Sequence, residues 1–352
     1  MKKQIIAAAI AAAVAAPAAM AGAPTVYGQI NMSLDHVSIK DAHGYKDKTN
    51  GGVRVTSNAS RIGVKGSEDL GNGLKALYKI EWGVDVDGDK GRSKYKATES
   101  ISARNAYVGL GGSFGAVLLG RHDSPFKMAQ PTDTFNDGYG DNGRMAGLLG
   151  LYGAGGELRA GNVLAYVSPS FNGIKFVGAL VPNEELGVAN KESGLTDIYS
   201  AALMYGSKKK GLYLSAAMTN ADKNSVDGTH SYSEYRLSAQ YTMGDLMANV
   251  MYQDFDTSKV KAANDGSNWQ INLAYTMGAA TLKGKYSSVD YDVKSQKDAS
   301  AYGLGVDYAL GKKTTAYVEY VATDNYSAEA DAYAIGKKAE DTYVSVGMIH
   351  KF

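Results

Sequence analysis

The sequence predicts an all-β protein, a transmembrane antiparallel β-barrel of about sixteen strands, and three observations carry that prediction. Segment after segment alternates apolar and polar residues with the period of two that marks a strand. The connectors between these segments alternate short and long. After residue 23 no apolar run approaches the roughly 18 residues of a membrane helix, so a chain that spans a bilayer must do so with strands.

Residues 1–21 read as a signal peptide: Lys2 and Lys3, an Ala-rich apolar run, and the small-x-small site Ala19-Met20-Ala21. Residues 22–352 then form the barrel domain. Its first segment sets Val26, Ile30, Met32 and Leu34 on one face and Tyr27, Gln29, Asn31 and Ser33 on the other. Further on, Leu74, Ala76, Tyr78, Ile80, Trp82 and Val84 oppose Lys75, Lys79, Glu81 and Asp85. Tyr235, Leu237, Ala239 and Tyr241 oppose Glu234, Arg236, Ser238 and Gln240, and Trp269, Ile271, Leu273 and Tyr275 oppose Gln270, Asn272 and Thr276. Strands are expected to start near Val26, Val53, Leu74, Ser102, Ala116, Arg159, Ile174, Ile198, Leu212, Tyr232, Leu246, Asn268, Ala280, Ala301, Thr314 and Asp341.

Short turns such as GGSFG, TMGD, TMGA and ALGKK lie between longer polar connectors, of which 122–158 is the longest. Turns on one rim and loops on the other are the layout of a membrane barrel. The apolar face is opposed by charges, so the interior is wet, and about sixteen strands enclose an aqueous channel. Tyr241, Tyr275, Tyr308 and Tyr320 are expected in an interfacial girdle, with Trp82 and Trp269 as wall anchors. The last segment places Val344, Val346, Met348 and Phe352 toward lipid and Ser345, Gly347 and Lys351 toward water. An unpaired strand edge in hydrocarbon is costly, so this segment must pair with the first.

Composition narrows the function classes. An exported chain without cysteine has no disulfide framework, thiolate metal site or thiol nucleophile. Without Lys2 and Lys3 the chain carries one excess acid and no polybasic nucleic-acid surface. His36, His43, His122, His230 and His350 are scattered without metal-ligand spacing, and no cofactor is expected. Gly111–Gly115 satisfies G-x-S-x-G, but it joins two strands and reads as a turn. Residues 85–96 begin like a calcium loop at Asp85, Asp87 and Asp89, but Lys90 and Lys96 replace the turn glycine and the bidentate acid.

The stretches TVYGQINMSL, SRIGVKGSEDLGNGLKALYKIEW, RNAYVGLGGSFGAVLLGRHDSP and LAYVSPSFNGIKF, with the last-residue Phe, resemble the general diffusion porins of the Gram-negative outer membrane. The resemblance implies a homotrimer in outer-membrane lipid and lipopolysaccharide that passes small hydrophilic solutes and ions. It also implies a third loop, 122–158, folded into the pore, and a terminal Phe352 read by the barrel assembly machinery. By motif it assigns Arg61, Arg121 and Arg159 to a basic wall at the constriction, with Gln29 as a neutral rung. Lys65 and Lys79 join that wall by alternation, and Asp133, Asp137 and Asp141 are the loop acids by location. Lumen cations outnumber lumen acids, which points to a mild anion preference. The 86–101 loop is the expected intersubunit latch. The rivals are a substrate-specific channel using Tyr139 and Tyr152, a barrel enzyme and an adhesin barrel.

Overall fold

In the computed structural model the chain is described over residues 23–40, 51–88, 101–147, 157–182, 194–222, 231–257, 265–294, 296–325 and 340–352. The expected signal peptide, Tyr152, Asp89–Lys96 of the calcium-like loop and most of the expected latch lie outside these residues. The strands are β1 (Thr25–Lys40), β2 (Gly51–Ser57), β3 (Arg61–Gly71), β4 (Leu74–Val84), β5 (Ile101–Gly112), β6 (Gly115–Asp123), β7 (Arg159–Val167), β8 (Ile174–Val181) and β9 (Ile198–Gly206). They continue as β10 (Gly211–Ala221), β11 (Tyr232–Met243), β12 (Leu246–Thr257), β13 (Gly266–Met277), β14 (Ala280–Tyr291), β15 (Ala299–Ala309), β16 (Thr314–Asp324) and β17 (Glu340–Lys351). Two short helices, α1 (Pro125–Met128) and α2 (Asn142–Ala146), lie between β6 and β7.

Every strand pairs antiparallel with its neighbours, and β1 pairs with β17 from Gln29↔Lys351 to Lys40↔Glu340, which closes the sheet. One half of β1 pairs with β2 and the other with β3, so these two are a single wall strand interrupted at Asn58-Ala59-Ser60. The wall therefore has sixteen strands, as the periodicity predicts. The interruption is local: Ala59 takes a φ of 49°, and Asn31 bridges the gap by accepting from the Asn58 N–H at 2.9 Å and donating its own N–H to Ser60 Oγ at 3.0 Å. The two-residue turns Gly244-Asp245 and Gly278-Ala279 place glycine at φ of 57° and 61°, the positive φ that tight hairpins require. Ser113-Phe114 is the same kind of connection between Gly112 and Gly115, so G-x-S-x-G is a strand-to-strand turn here.

The two faces of the wall differ in chemistry. Gln29, Asn31, Ser33 and Asp35 of β1 are buried on the inner side, while Ile30 and Leu34 stand exposed on the outer side. Outward aromatics come in pairs six residues apart, Tyr199 with Tyr205, Tyr235 with Tyr241, Trp269 with Tyr275, and Tyr302 with Tyr308. That spacing is about 20 Å along a strand, so the pairs bracket an apolar band with a ring at each interface. Tyr241, Tyr275 and Tyr308 belong to the ring near the short turns; Tyr320, 6.1 Å from Tyr302 between ring centroids, belongs to the other.

Phe352 sits within the wall. Gly28 N–H donates to the Phe352 carbonyl at 3.2 Å and Phe352 N–H donates to the Gly28 carbonyl at 3.1 Å. The aromatic ring covers Gly28, where a Cβ would lie 2.4 Å from Cζ. Gly28→Val should therefore destabilise the barrel by about 1–3 kcal/mol through overpacking. The temperature at which the heat-resistant folded band disappears on a semi-native gel should fall. Gly284→Ala, whose new Cβ meets nothing nearer than 3.6 Å, should leave it unchanged.

Candidate constriction site

A barrel this wide leaves space that strand side chains cannot fill, and the segment between β6 and β7 enters it. Its backbone groups leave water and need partners. The inner wall supplies them as side chains: Ser215 Oγ donates to the Ala129 carbonyl at 2.7 Å, and Asn249 Nδ2 to the Thr132 carbonyl at 2.8 Å. Gln270 Nε2 donates to the Asn142 carbonyl at 2.9 Å, and Lys285 Nζ to the Gly140 carbonyl at 2.7 Å. Gln240 Oε1 accepts from Thr132 N–H at 2.8 Å. Apolar contacts add to this, with Phe126 and Ala129 packed on Ala202 and Ala217, and Phe135 and Tyr139 on Val37, Val321 and Tyr343. Ser124 caps α1 by accepting from Lys127 N–H at 3.1 Å.

Arg236 fixes the two ends of the loop together. Its guanidinium donates to the Phe126 carbonyl at 3.0 Å, to Gln253 Oε1 at 2.6 Å and to the Glu157 carboxylate, and lies 4.2 Å from the Phe126 ring centroid. At the base, Ser124 N–H donates to the Leu158 carbonyl at 3.0 Å, and Arg159 pairs with Asp123 at 2.8 Å.

The loop turns back at Asn136 and Asp137, with φ of 55° and 60°. Asn136 anchors this tip: its amide donates to Asp307 Oδ1 and Glu319 Oε1, both at 2.9 Å, and its carbonyl accepts from Asn31 Nδ2 at 2.7 Å. Lys283 binds the same two carboxylates at 2.6 and 2.7 Å. With its neighbour held, Asp137 is set 3.7 Å from Arg61 Nη1 and 3.5 Å from Gln29 Nε2. Burial pushes the Asp137 pKa up; Arg61 opposes the shift and Asp141 adds to it.

Across from the tip stands a basic wall organised by Glu81. This carboxylate accepts from Arg104 Nε at 2.7 Å and Tyr27 OH at 2.7 Å, with Lys79 Nζ at 3.3 Å. Lys65 and Lys79 lie over the Tyr27 ring at 4.9 and 5.7 Å. Arg61, Lys65, Lys79 and Arg104 thus gather around Glu81 and Asp137.

The predicted site residues separate into groups. Arg61, Lys65 and Lys79 come together with Asp137, and Arg159 seals the loop base. Asp133 and Asp141 lie by each other near Lys285, and of the three loop acids only Asp137 comes within ion-pair distance of the basic wall among the described residues. Burial and then the Asp141 charge drive the Asp133 pKa well up. Arg121 lies at a bulge, where Gly120 takes a φ of 136° and the β6–β7 register shifts between Gly120 and His122; its Nη1 reaches to 4.0 Å from where a Cβ on Gly161 would stand, within electrostatic range of Arg159. It makes no ion pair among the described residues, and its buried Nε has no hydrogen-bond partner. Arg104 joins the wall although no motif marks it. The β4–β5 register shifts between Ile80 and Trp82, so Arg104 and Asn105 both oppose Glu81. Simple alternation hides that bulge. Tyr139 is buried, stacked on Tyr343 at 3.9 Å, and offers no platform to a solute.

A closed barrel with lipid-type aromatic rings, a polar interior and a loop narrowing that interior defines an outer-membrane channel. A family profile described as Gram-negative porin matches residues 7–328, and the chain belongs to that family. It is 29% identical over the whole of both chains to the major outer membrane protein P.IB of Neisseria meningitidis. It is 27% identical to a monosaccharide porin from a Halomonas species, over 93% of this chain and 91% of that one. Among solved structures, the anion-selective porin from Comamonas acidovorans superposes with a TM-score of 0.73 at 22% identity, covering 94% of this chain and all of the other. The protein is an outer-membrane porin, and the water-filled barrel is its channel.

Arg236→Ala would leave Glu157 without its buried cation, a loss of roughly 3–5 kcal/mol for a broken buried pair. The loop should undock in part, so single-channel conductance should rise and become noisy. External protease should cut between β6 and β7 in the variant and spare the native chain.

Proposed function

We propose that this porin passes small hydrophilic solutes with a preference for anions, selected between the Asp137 tip and a wall of Arg61, Lys65, Lys79 and Arg104. The observation that carries this reading is the local charge balance: four cations face two carboxylates where the loop narrows the lumen. In a low-dielectric constriction such an excess lowers the barrier for anions and raises it for cations. The Comamonas relative is itself described as anion-selective, which supports the reading. Removal of residues 1–21 before assembly, and solute transport without catalysis, belong to the same proposal.

The subunits of a trimer would meet on the sector where the aromatic rings are missing. Along β17, β1, β2, β5 and β6 the exposed large apolar residues are non-aromatic, Val344, Val346, Leu34, Val55, Val108 and Leu119 among them, and Phe352 and Phe114 mark the short-turn rim alone. A lipid-facing wall should carry interfacial aromatics, and a protein-facing one need not. A solved structure of Vibrio cholerae OmpT, with a TM-score of 0.66 at 16% identity over 95% of this chain and all of the other, is described as a trimer form. Lipid and lipopolysaccharide would then cover the aromatic sector. Phe352 would serve assembly, so its deletion should lower the amount of inserted barrel more than the conductance of each inserted channel.

Reversal potentials in a salt gradient test the selectivity. The native channel should favour chloride over potassium, and Arg104→Gln should weaken that preference. A native channel favouring potassium overturns the reading. Because the Asp137 pKa is raised, its charge is lost at a higher pH than for an ordinary aspartate near 3.9. Anion preference should therefore increase on acidification before exposed carboxylates titrate, and Asp137→Asn should show the higher preference at neutral pH without that step.

A further inference from the structure

The short-turn mouth of the channel has a charge pattern of its own, and every turn that builds it is described. Its exposed lysines fall into two arcs. Lys175, Lys209 and Lys210 stand at the ends of β8–β10, and Lys312, Lys313 and Lys351 at those of β15–β17, with β11–β14 between the arcs on one side and β1–β7 on the other. The acidic side chains at these strand ends are Glu68, Asp69 and Asp245, and Asp69 stands opposite Lys75. Lys208 belongs to the first arc but turns inward. Gln240 Nε2 and Thr242 Oγ1 donate to its carbonyl at 2.6 and 3.2 Å and draw the Ser207–Lys210 turn over the lumen. Its half-buried ammonium then lies 5.0 Å from the Tyr213 ring centroid and donates to the Met128 carbonyl at 3.5 Å, beneath the limb of the loop that Tyr213 and Ser215 hold at Ala129. No carboxylate comes within ion-pair distance of Lys208 among the described residues; Lys127 on the loop turns away to Glu157, and the charged neighbour on the wall is Arg236.

We propose that Lys208 and the lysines beside it form a second anion-selecting station at the short-turn mouth, so that the channel takes in chloride and other small anions more readily from that side. This extends the selectivity reading above from the constriction to the mouth. Like charges on facing arcs add their fields over the opening, and at about 0.1 M salt the Debye length is about 10 Å, so the ammonium of Lys208 acts on the ions that pass beneath the loop. One elementary charge about 10 Å away in water changes the local chloride concentration about twofold. The opposite strand ends carry acids instead, Asp222, Asp265, Asp290, Asp298 and Asp324 among them, so the two mouths differ in sign. Burial draws the Lys208 pKa down to about 8, and Arg236 acts in the same direction. Lys208 is therefore charged below that pH and loses its charge above it, whereas an ordinary lysine titrates near 10.4.

Planar-bilayer recording of the full-length porin in potassium chloride, with the same solution on both sides, tests this. The chain has no cysteine, so Lys209→Cys coupled to a maleimide polymer too large for the pore identifies the compartment that faces the short turns. At about 0.1 M salt the native channel should pass more current when the voltage drives chloride in from that compartment. At about 1 M, where the Debye length falls to about 3 Å, the two currents should be equal. Lys208→Gln should bring their low-salt ratio toward one, by at most about twofold, and the triple change of Lys208, Lys209 and Lys210 to Gln should abolish the asymmetry. Raising the pH from about 7 to about 9 should act on the native channel as Lys208→Gln does, and Lys208→Arg should resist that change, which a purely structural role for Lys208 would not produce. Equal conductance of all variants at about 1 M salt shows that they are folded. Equal native currents in both directions at low salt, or a ratio unmoved by the triple substitution or by the rise in pH, overturns the proposal. None of these results depends on which ion the constriction prefers, which the reversal potential of Arg104→Gln tests separately.

Discussion

Everything in this structure depends on the pairing of backbone amides and carbonyls where water is absent. A strand edge in hydrocarbon leaves groups that each cost several kcal/mol, and the pairing of β1 with β17 removes it. The exchange of hydrogen bonds between Gly28 and Phe352 extends that pairing to the last residue. Closure fixes the circumference, and a sixteen-stranded circumference leaves a lumen that strand side chains cannot fill. The same demand for paired backbone groups then returns inside, because the loop that narrows the lumen brings its own amides and carbonyls with it.

The lumen wall is consequently divided between two tasks. From β10 to β16 it holds the loop: Ser215, Gln240, Asn249, Gln270 and Lys285 satisfy its backbone, and Arg236 and Lys283 bind carboxylates and carbonyls that fix its two ends and its tip. Those cations are neutralised by what they hold. On β3–β5 the wall meets the loop at its tip, where Arg61 faces Asp137, and Lys65, Lys79 and Arg104 cluster around the single carboxylate Glu81. On the proposed reading, selectivity depends on the cations that do not hold the loop, and counting basic residues along the inner face does not measure it.

Much of this was legible in the sequence because its cause is periodic. Alternation fixes which side chains face lipid, and it places Ile30, Leu34, Leu237 and Trp269 outside and Gln29, Glu81 and Arg236 inside, as the structure shows. Loop length singled out the segment after β6. Wherever the periodicity breaks, the sequence reading breaks with it. Arg104 comes inward through a bulge, and Arg121 lies at a second one between Gly120 and His122, so simple alternation reads neither. The positive φ of Ala59 divides one wall strand into two, and nothing in its side chain announces that. Asp133 and Asp141 could be placed on the loop but not on one side of it, since an irregular segment has no period to read.

The outer surface follows the same logic with lipid in place of water. Aromatic pairs mark the interfaces on β9, β11, β13 and β15, and their absence from β17, β1, β2, β5 and β6 is equally informative, because hydrocarbon and a neighbouring subunit make different demands on an apolar wall. Within the aromatic sector the wall is not uniform. Small residues at Ala216 and Ala239 let it recede between leucines, and above that recess Asn220 keeps a donor that the fold leaves unpaired.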